Sequence, residues 1–346
     1  MSQSKETVRR IQLTGKSTYI VSLPRRWVED VHLGRGETLT IIPQQDKTLL
    51  LVPRNLKKPE KPTAETIEVM SKDNPNSIIR KLVALYLIGY NTIHISTKEE
   101  RIQSVQRNLV KEFVRRKLVG TEIVSDSRNG VTLQVLLSYP ELSVGDALRR
   151  MAIIAISMHR DAVNALRNLN VDLAEEIIRM DDEVDRFNFY IIRQLKSAVS
   201  EEQTLKEIGL ERARDCLGYR LIAKSVERVA DHAVYVSTNV LGLKSRVPDP
   251  VMEGLERMSG FAITSFDQAI KSLFTKDYSS ADQVIEDNLR IRGMEREVID
   301  RITETRLDAE TVSLLRLIVE SIRRTAEYGS DIAEVVLNLT ILAHQE

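Results

Sequence analysis

The chain has 346 residues, with 50 lysines and arginines, 50 aspartates and glutamates, and a single cysteine. This length predicts two or three domains, and 42% apolar beside 29% charged residues excludes a disordered or fibrous chain. One cysteine excludes a disulfide framework and a thiolate metal cluster. No uncharged apolar run approaches the ~20 residues that a bilayer requires, and the N-terminus lacks the apolar core of a signal peptide. We therefore predict a cytoplasmic protein without membrane insertion.

The neutral total conceals an uneven distribution of charge along the chain. Residues 1–61 carry a net charge of +6, residues 62–142 carry +2, and residues 143–346 carry −8. A basic N-terminal part joined to an acidic remainder indicates two partners of opposite charge, a polyanion for the first and cationic groups for the second.

Residues 1–55, here called the head, have the pattern of a small β domain. Strands are predicted at 18–23, 38–43 and 48–52 from their β-branched and apolar residues. Residues 56–63 are rich in proline and lysine, which predicts an exposed linker.

Residues 64–142, the middle domain, mix helical and strand patterns. The predicted elements are helices at 77–88 and 98–118 and strands at 92–96, 121–124 and 131–137, the last two flanking a turn at 126–130. This order predicts a small α+β domain, to which the sequence assigns no role.

Residues 143–346, the body, have helical periodicity throughout and contain an internal repeat. Placing Arg150-Met151 over Arg257-Met258 aligns a series of apolar residues in two copies, 143–247 and 248–346, the second of which lacks residues equivalent to those around 200–209. Each copy contains three long helical segments, so we predict an all-α body of two three-helix bundles.

The head concentrates its basic residues near its predicted strands and turns, at Arg9, Arg10, Lys16, Arg25 and Arg26. Several convergent cations supply affinity for nucleic-acid phosphates. From charge alone, the alternative is a basic β domain whose cations keep it soluble or contact the acidic body.

The head also resembles a known family of DNA-binding domains. The segments Val8-Arg9-Arg10-Ile11, Gly15-Lys16, Leu23-Pro24-Arg25-Arg26 and Leu33-Gly34-Arg35-Gly36-Glu37 are similar to the AbrB/MazE/SpoVT pattern. The resemblance implies a swapped-hairpin barrel formed by a homodimer. It also implies that the five basic residues Arg9, Arg10, Lys16, Arg25 and Arg26 contact DNA.

Two predicted helices of the body carry acidic residues four positions apart, Asp181 and Asp185 in one and Glu227 and Asp231 in the other. Positions i and i+4 share a helix face, so each pair sets two carboxylates side by side. Carboxylates from two neighbouring helices can bind a divalent or ferric ion. Both pairs are expected at or beyond the margin of the apolar stripe, which disfavours a metal in the bundle centre and leaves solvated surface acids as the alternative.

The sequence around these acids resembles the PhoU family. Leu221-Ile222-Ala223 followed by Glu227-Arg228-Val229-Ala230-Asp231-His232-Ala233 is similar to its signature, and Ile177 with Asp181 and Asp185 is similar to its partner segment. The likeness covers about residues 143–342. It implies two three-helix bundles, metal held on the bundle surface by Asp181, Asp185, Glu227 and Asp231, and a role in phosphate sensing that damps phosphate uptake.

The second copy has Asn288 and Arg292 in place of the first acid pair, and Arg323 and Glu327 in place of the second. Because a guanidinium repels a cation, we predict metal at the first bundle only. Of the remaining candidates, His232 adjoins the acid pairs; it is expected to face outward, with a role as a fifth metal ligand as the alternative. Cys216 is expected to be a buried small residue.

The sequence thus predicts a homodimeric, DNA-binding transcriptional regulator of phosphate uptake, whose metal-binding body contacts a phosphate transporter or signalling protein. One alternative is an adaptor that docks on the transporter or its sensor, inhibits uptake and does not bind DNA. Another is a metal-storage or metalloenzyme bundle. No P-loop, GxGxxG, HExxH or GxSxG motif occurs in the sequence, so no enzymatic activity is predicted.

Overall fold

The structure is a computed structural model that describes residues 7–15, 17–43, 47–54, 64–136, 142–200 and 202–341. The chain divides into two compact units, Met1–Lys61 and Pro62–Glu346. The predicted linker and Lys16 lie outside the described residues. No helix in the described ranges combines the length and the apolar character that a membrane crossing requires.

The head consists of two antiparallel hairpins and one short helix. Strands β1 (Gln12–Thr14) and β2 (Thr18–Ile20) pair in one sheet, and β3 (Leu39–Pro43) and β4 (Leu49–Pro53) pair in another. Helix α1 (Arg25–Asp30) lies between them in the chain, and no helix was predicted in the head. Pro24 is the N-cap residue of this helix, with an extended backbone at φ −62° and ψ 124°.

The middle domain is a four-stranded sheet with two helices. Its elements are β5 (Ala64–Glu68), α2 (Pro75–Ile88), β6 (Thr92–Ser96), α3 (Ser104–Lys117), β7 (Thr121–Asp126) and β8 (Gly130–Val135), with strand order β5-β6-β8-β7. Strands β5 and β6 are parallel, whereas β8 pairs antiparallel with both β6 and β7. The sheet and both helices bury a common apolar core that includes Leu82, Tyr86, Ile93, Val110 and Leu133. The domain is therefore α+β, and its first strand was not predicted.

Helix α3 begins six residues later than the prediction of 98–118. The backbone N–H of Thr97 donates to Asn129 and that of Ile102 donates to Arg128, both at 3.1 Å. These hydrogen bonds attach the segment before α3 to the β7–β8 turn. The segment therefore remains non-helical despite its charged, helix-like composition.

The body is helical in both copies of the repeat. The first copy contains α4 (Val144–Asn168), α5 (Val171–Ser200), α6 (Glu202–Glu207) and α7 (Asp215–Gly242), and the second contains α8 (Asp249–Thr275), α9 (Tyr278–Asn288), α10 (Ile291–Glu304) and α11 (Ala309–Ile341). Helices α4, α5 and α7 contact one another, and α7 also packs on α11. The residues missing from the second copy correspond to the connection that contains α6, as the repeat alignment predicted.

Buried Arg193 joins the middle domain to helix α5. The guanidinium donates to the carbonyl oxygens of Tyr90 at 3.0 Å and Gly89 at 3.2 Å, to Asn91 Oδ1 at 2.8 Å, and to the carbonyl of Tyr86. Gly89 ends α2 with a φ of 113°, a conformation that favours glycine. The carbonyls at the C-terminal end of a helix lack intrahelical partners and attract a cation. Arg193 supplies both the hydrogen-bond donors and the positive charge, and it thereby fastens the end of α2 to α5.

Candidate functional site

The four acidic residues predicted as metal ligands lie near one another where α5 packs against α7. Burial, together with the charges of Asp185, Asp231 and Glu227, raises the pKa of Asp181 to about 7. Burial also raises the pKa of Asp231 to about 6, with Glu227 as the next contributor. Since these carboxylates affect one another, the structure brings together the two pairs that the spacing identified. We call these four residues and Asp182 the acid cluster.

Glu227 is more deeply buried than the sequence predicted. Its relative exposure is 9%, whereas the helical wheel placed it well outside the apolar stripe. The prediction is wrong because α7 contacts α4, α5 and α11. These three helices together cover more of the surface of α7 than its apolar stripe indicates.

Asp181 has an unsatisfied polar atom within the cluster. Its Oδ1 atom is buried and has no hydrogen-bond partner among the described residues. Burial of this oxygen without a donor makes the ionised carboxylate costly. The raised pKa of Asp181 follows from this environment.

Cations of the chain itself contact the other members of the acid cluster. Lys117 Nζ, at the end of α3, lies 2.6 Å from Asp185 Oδ2 and 3.0 Å from Asp182 Oδ1, and Arg116 also contacts Asp182. On α7, Lys224 Nζ lies 2.6 Å from Glu227 Oε1, and Arg228 lies 3.6 Å from Asp231. Neither motif nor spacing in the sequence marks Lys117, Arg116 or Asp182 as part of this cluster. No local signal could have found Lys117, since it precedes Asp185 by 68 residues and belongs to another domain.

The arrangement does not fit a bound metal ion. Within the described ranges, no three histidine, cysteine or carboxylate side chains are placed so that they could share one ion. Asp185, Glu227 and Asp231 each have a lysine or arginine within 4 Å. A divalent cation at the cluster requires several free oxygen ligands, which these ion pairs occupy.

The second copy has neutral or cationic groups at three of the four equivalent positions and retains one acid, Glu327. Asn288 Nδ2, at the position equivalent to Asp181, donates to the carbonyl of Ala326 at 2.8 Å, and its Oδ1 accepts from Ser265 Oγ at 2.8 Å. Arg323, at the position equivalent to Glu227, contacts Glu295 at 3.0 Å and also pairs with Glu327. The second copy thus satisfies the equivalent buried positions with its own hydrogen bonds and ion pairs.

His232 lies beside the cluster and is half-buried, so the prediction of an outward-facing side chain is wrong. Its ring lies 5.5 Å from that of Tyr235 and 5.7 Å from that of Tyr328. Burial, followed by the charges of Arg324 and Arg228, lowers the pKa of His232 to about 4. Cys216 is buried, as predicted.

In the head, Arg9, Arg10, Arg25 and Arg26 are all exposed. Arg25 Nε lies 2.8 Å from Glu29 Oε1, one turn along α1. Large apolar side chains of the head are also exposed, by 41–93%: Val8, Ile11, Leu13, Tyr19, Ile20, Val21, Ile41, Ile42, Leu49 and Leu50. The two hairpins of a single chain therefore leave the apolar residues of both uncovered.

Comparison with known proteins identifies relatives of the body. The "Phosphate-specific transport system accessory protein PhoU homolog 1" of Thermotoga maritima is 21% identical over 199 residues, which cover 56% of this chain and 83% of that protein. The homologous accessory protein of Xylella fastidiosa is 21% identical over 194 residues, covering 55% and 79%. The crystal structure of the phosphate transport system regulatory protein PhoU from Streptococcus pneumoniae aligns with a TM-score of 0.50 and 17% identity, covering 57% of this chain and 92% of that one. This likeness to a solved structure shows the fold of the body.

A family model described as the PhoU domain matches residues 148–240 and 255–336, one segment in each copy of the repeat. The matched segments together make up just over half of the chain and include neither the head nor the middle domain. The chain belongs to the PhoU domain family.

Proposed function

We propose that this chain is a regulatory accessory protein of a phosphate-specific transport system, and that its body docks on the transporter or its phosphate sensor and damps uptake. The PhoU-domain match across both copies of the repeat carries this proposal. The names of the relatives, which are accessory proteins of phosphate-specific transport systems, indicate the process. The net charge of −8 over residues 143–346 favours a partner surface that presents cations.

Phosphate uptake in cells that lack the chain tests this proposal. Uptake should rise in the deletion strain at high phosphate and return to its original rate when the full chain is restored. Purification of the tagged chain from phosphate-replete cells should recover a transporter component or its sensor. Unchanged uptake in the deletion strain would contradict a damping role.

A second candidate function is DNA binding by a homodimeric head. Exposed apolar side chains on both hairpins favour a second copy of the head as the partner that covers them. Dimerisation would double the number of exposed arginines available to duplex phosphates. The resemblance to AbrB/MazE/SpoVT domains supports the same proposal, in which Arg9, Arg10, Lys16, Arg25 and Arg26 contact DNA.

The full chain with Arg25→Ala and Arg26→Ala separates the two functions. A DNA-binding head predicts weaker retention on duplex DNA and a shallower dependence of binding on salt concentration. An adaptor predicts the same phosphate uptake for the variant and the original chain. Mapping of occupied genomic DNA at high and low phosphate would then identify the operator, and an absence of enriched sites would rule out transcriptional regulation.

A further inference from the structure

A groove of about 280 Å³ lies where the middle domain meets the body. It is bounded by the end of α3, the start of β7 and one residue of α5, Arg186. No member of the acid cluster lines it. Gly120, between α3 and β7, has a φ of 62°, which favours glycine and lets the chain turn from the helix into the strand beside the groove.

The helix geometry of α5 places Arg186 on the face that meets the middle domain. Arg186 lies one turn after Asp182, which contacts Arg116 on α3, and positions i and i+4 share a helix face. Its Nη1 atom donates to Glu183 Oε1 at 3.0 Å, whereas Nε is buried and has no acceptor within the described part of the chain. A buried donor without an acceptor costs free energy. An acceptor on a bound group would recover that cost.

Arg115 supplies a second guanidinium to the groove, from the last turn of α3. The neighbouring cations of this helix, Lys111, Arg116 and Lys117, are each paired with a carboxylate. Arg115 is exposed, and its guanidinium forms no ion pair with any residue that the structure describes. It therefore remains available to a ligand.

The charged groups that line the groove favour an anion. They are the guanidiniums of Arg115 and Arg186 and the carboxylate of Glu122, which is exposed. A guanidinium stays charged throughout the physiological pH range, and its planar array of N–H donors matches the oxygens of a phosphate group. The second copy of the repeat has Gly293 at the position equivalent to Arg186, so this pair of guanidiniums belongs to the first copy.

We propose that the groove binds a phosphate group, on orthophosphate or on a phosphomonoester, between Arg115 of the middle domain and Arg186 of the body. The choice of phosphate among anions rests on the proposed function in phosphate regulation, whereas the two guanidiniums and the unsatisfied Nε favour an anion by themselves. Because the two arginines belong to different domains, the bound anion links α3 to α5. It stabilises the folded chain more as its concentration rises.

Titration calorimetry of the purified full chain, in phosphate-free buffer at constant ionic strength, tests this proposal with orthophosphate and with methyl phosphate. We expect one anion to bind per chain, and the probe with the lower Kd identifies the source of the phosphate group. Arg115→Gln and Arg186→Gln should each weaken binding by at least about tenfold, because each removes a charged hydrogen-bond donor. Glu122→Gln should tighten binding, because it removes a negative charge from the lining.

Two variants outside the groove are the matched controls. Arg80 is exposed on α2 of the middle domain, and Arg179 lies on α5 and pairs at 3.6 Å with Glu175; Arg80→Gln and Arg179→Gln should bind like the unaltered chain. The proposal is overturned if neither probe binds, if Arg115→Gln and Arg186→Gln bind as tightly as the unaltered chain, or if the controls lose as much affinity. Circular dichroism verifies folding, and the exposed Arg115 keeps the test decisive if Arg186→Gln unfolds.

The binding measurement is independent of the uptake measurement. Phosphate binding that requires both arginines, together with unchanged uptake in the deletion strain, would support this site and contradict the damping role. Altered uptake without phosphate binding would support the damping role and overturn this site.

Discussion

The Nε2 atom of His159 on α4 lies 2.9 Å from the hydroxyl oxygen of Ser259 on α8, in the interior of the body where the two copies of the repeat meet. The other ring nitrogen lies 3.4 Å from Thr325 Oγ1 on α11. His159 is almost fully buried, so one neutral imidazole links a helix of the first copy to two helices of the second.

Lowering the pH should destabilise the folded body through the protonation of His159. Burial, followed by the charges of His232 and Arg160, lowers the pKa of His159 from 6.5 to about 4. Between these two pKa values, His159 is protonated in the unfolded chain and neutral in the folded chain. The free energy of unfolding therefore falls as the pH falls from 6.5 towards 4. Between about pH 7.5 and about pH 5 the loss should be about 2 kcal/mol. Urea unfolding of His159→Gln should show a smaller loss over this range, and an equal loss would contradict this role of His159.

Asp181→Asn should stabilise the body at alkaline pH. The folded-state pKa of Asp181 is raised to about 7, so the wild-type carboxyl costs stability as the pH rises from 3.8 through 7, and the amide does not. Asn288 shows that an amide is accommodated at the equivalent position. At about pH 8 the gain should exceed the ~0.5 kcal/mol typical of surface substitutions, and it should shrink at about pH 5. Glu176→Gln, an exposed site on the same helix, should change little at either pH.

Arg193→Ala should loosen the middle domain from the body. The side chain is 1% exposed and donates to the partly buried backbone carbonyls of Tyr90 and Gly89, which lose this donor when the side chain is removed. We expect a loss of about 3 kcal/mol or more. Hydrogen exchange should increase at the end of α2. Arg179→Ala, whose guanidinium is exposed and lies 3.6 Å from Glu175, is the control and should remain within ~0.5 kcal/mol of the wild type. Unchanged exchange in α2 would show that other contacts fasten the domain.

Charges placed on the apolar surface of the head should prevent its association. Ile41 and Leu49 lie on the paired strands β3 and β4 and are 58% and 62% exposed. If a second head covers them, Ile41→Asp with Leu49→Asp should convert a dimer to a monomer in sedimentation velocity, since a buried unpaired carboxylate is costly. Val105→Asp, at an exposed site in the middle domain, should not change the mass. A monomeric wild-type chain would refute the dimeric head.

The local elements and the repeat could be predicted from the sequence because they depend on near neighbours in the chain. Periodicity of about 3.6 residues identified the body helices, alternation identified β6 at Thr92–Ser96, and glycine and asparagine identified the β7–β8 turn. The i, i+4 spacing correctly placed Asp181 beside Asp185 and Glu227 beside Asp231. Covalent connection and helix geometry determine all of these relationships.

Contacts between segments far apart in the chain could not be predicted, because they depend on how the domains pack. Lys117 meets Asp185 across 68 residues, and Arg193 meets the end of α2 across more than 100. Sequence periodicity does not predict contacts between residues so far apart in the chain, since each contact depends on how whole elements pack. The burial of Glu227 follows from three neighbouring helices, and it converts an acid that spacing placed on the surface into part of a sheltered cluster. Helix geometry thus makes the acids that share a face readable from spacing, whereas only the packing of the domains brings Lys117 and Arg116 to those acids.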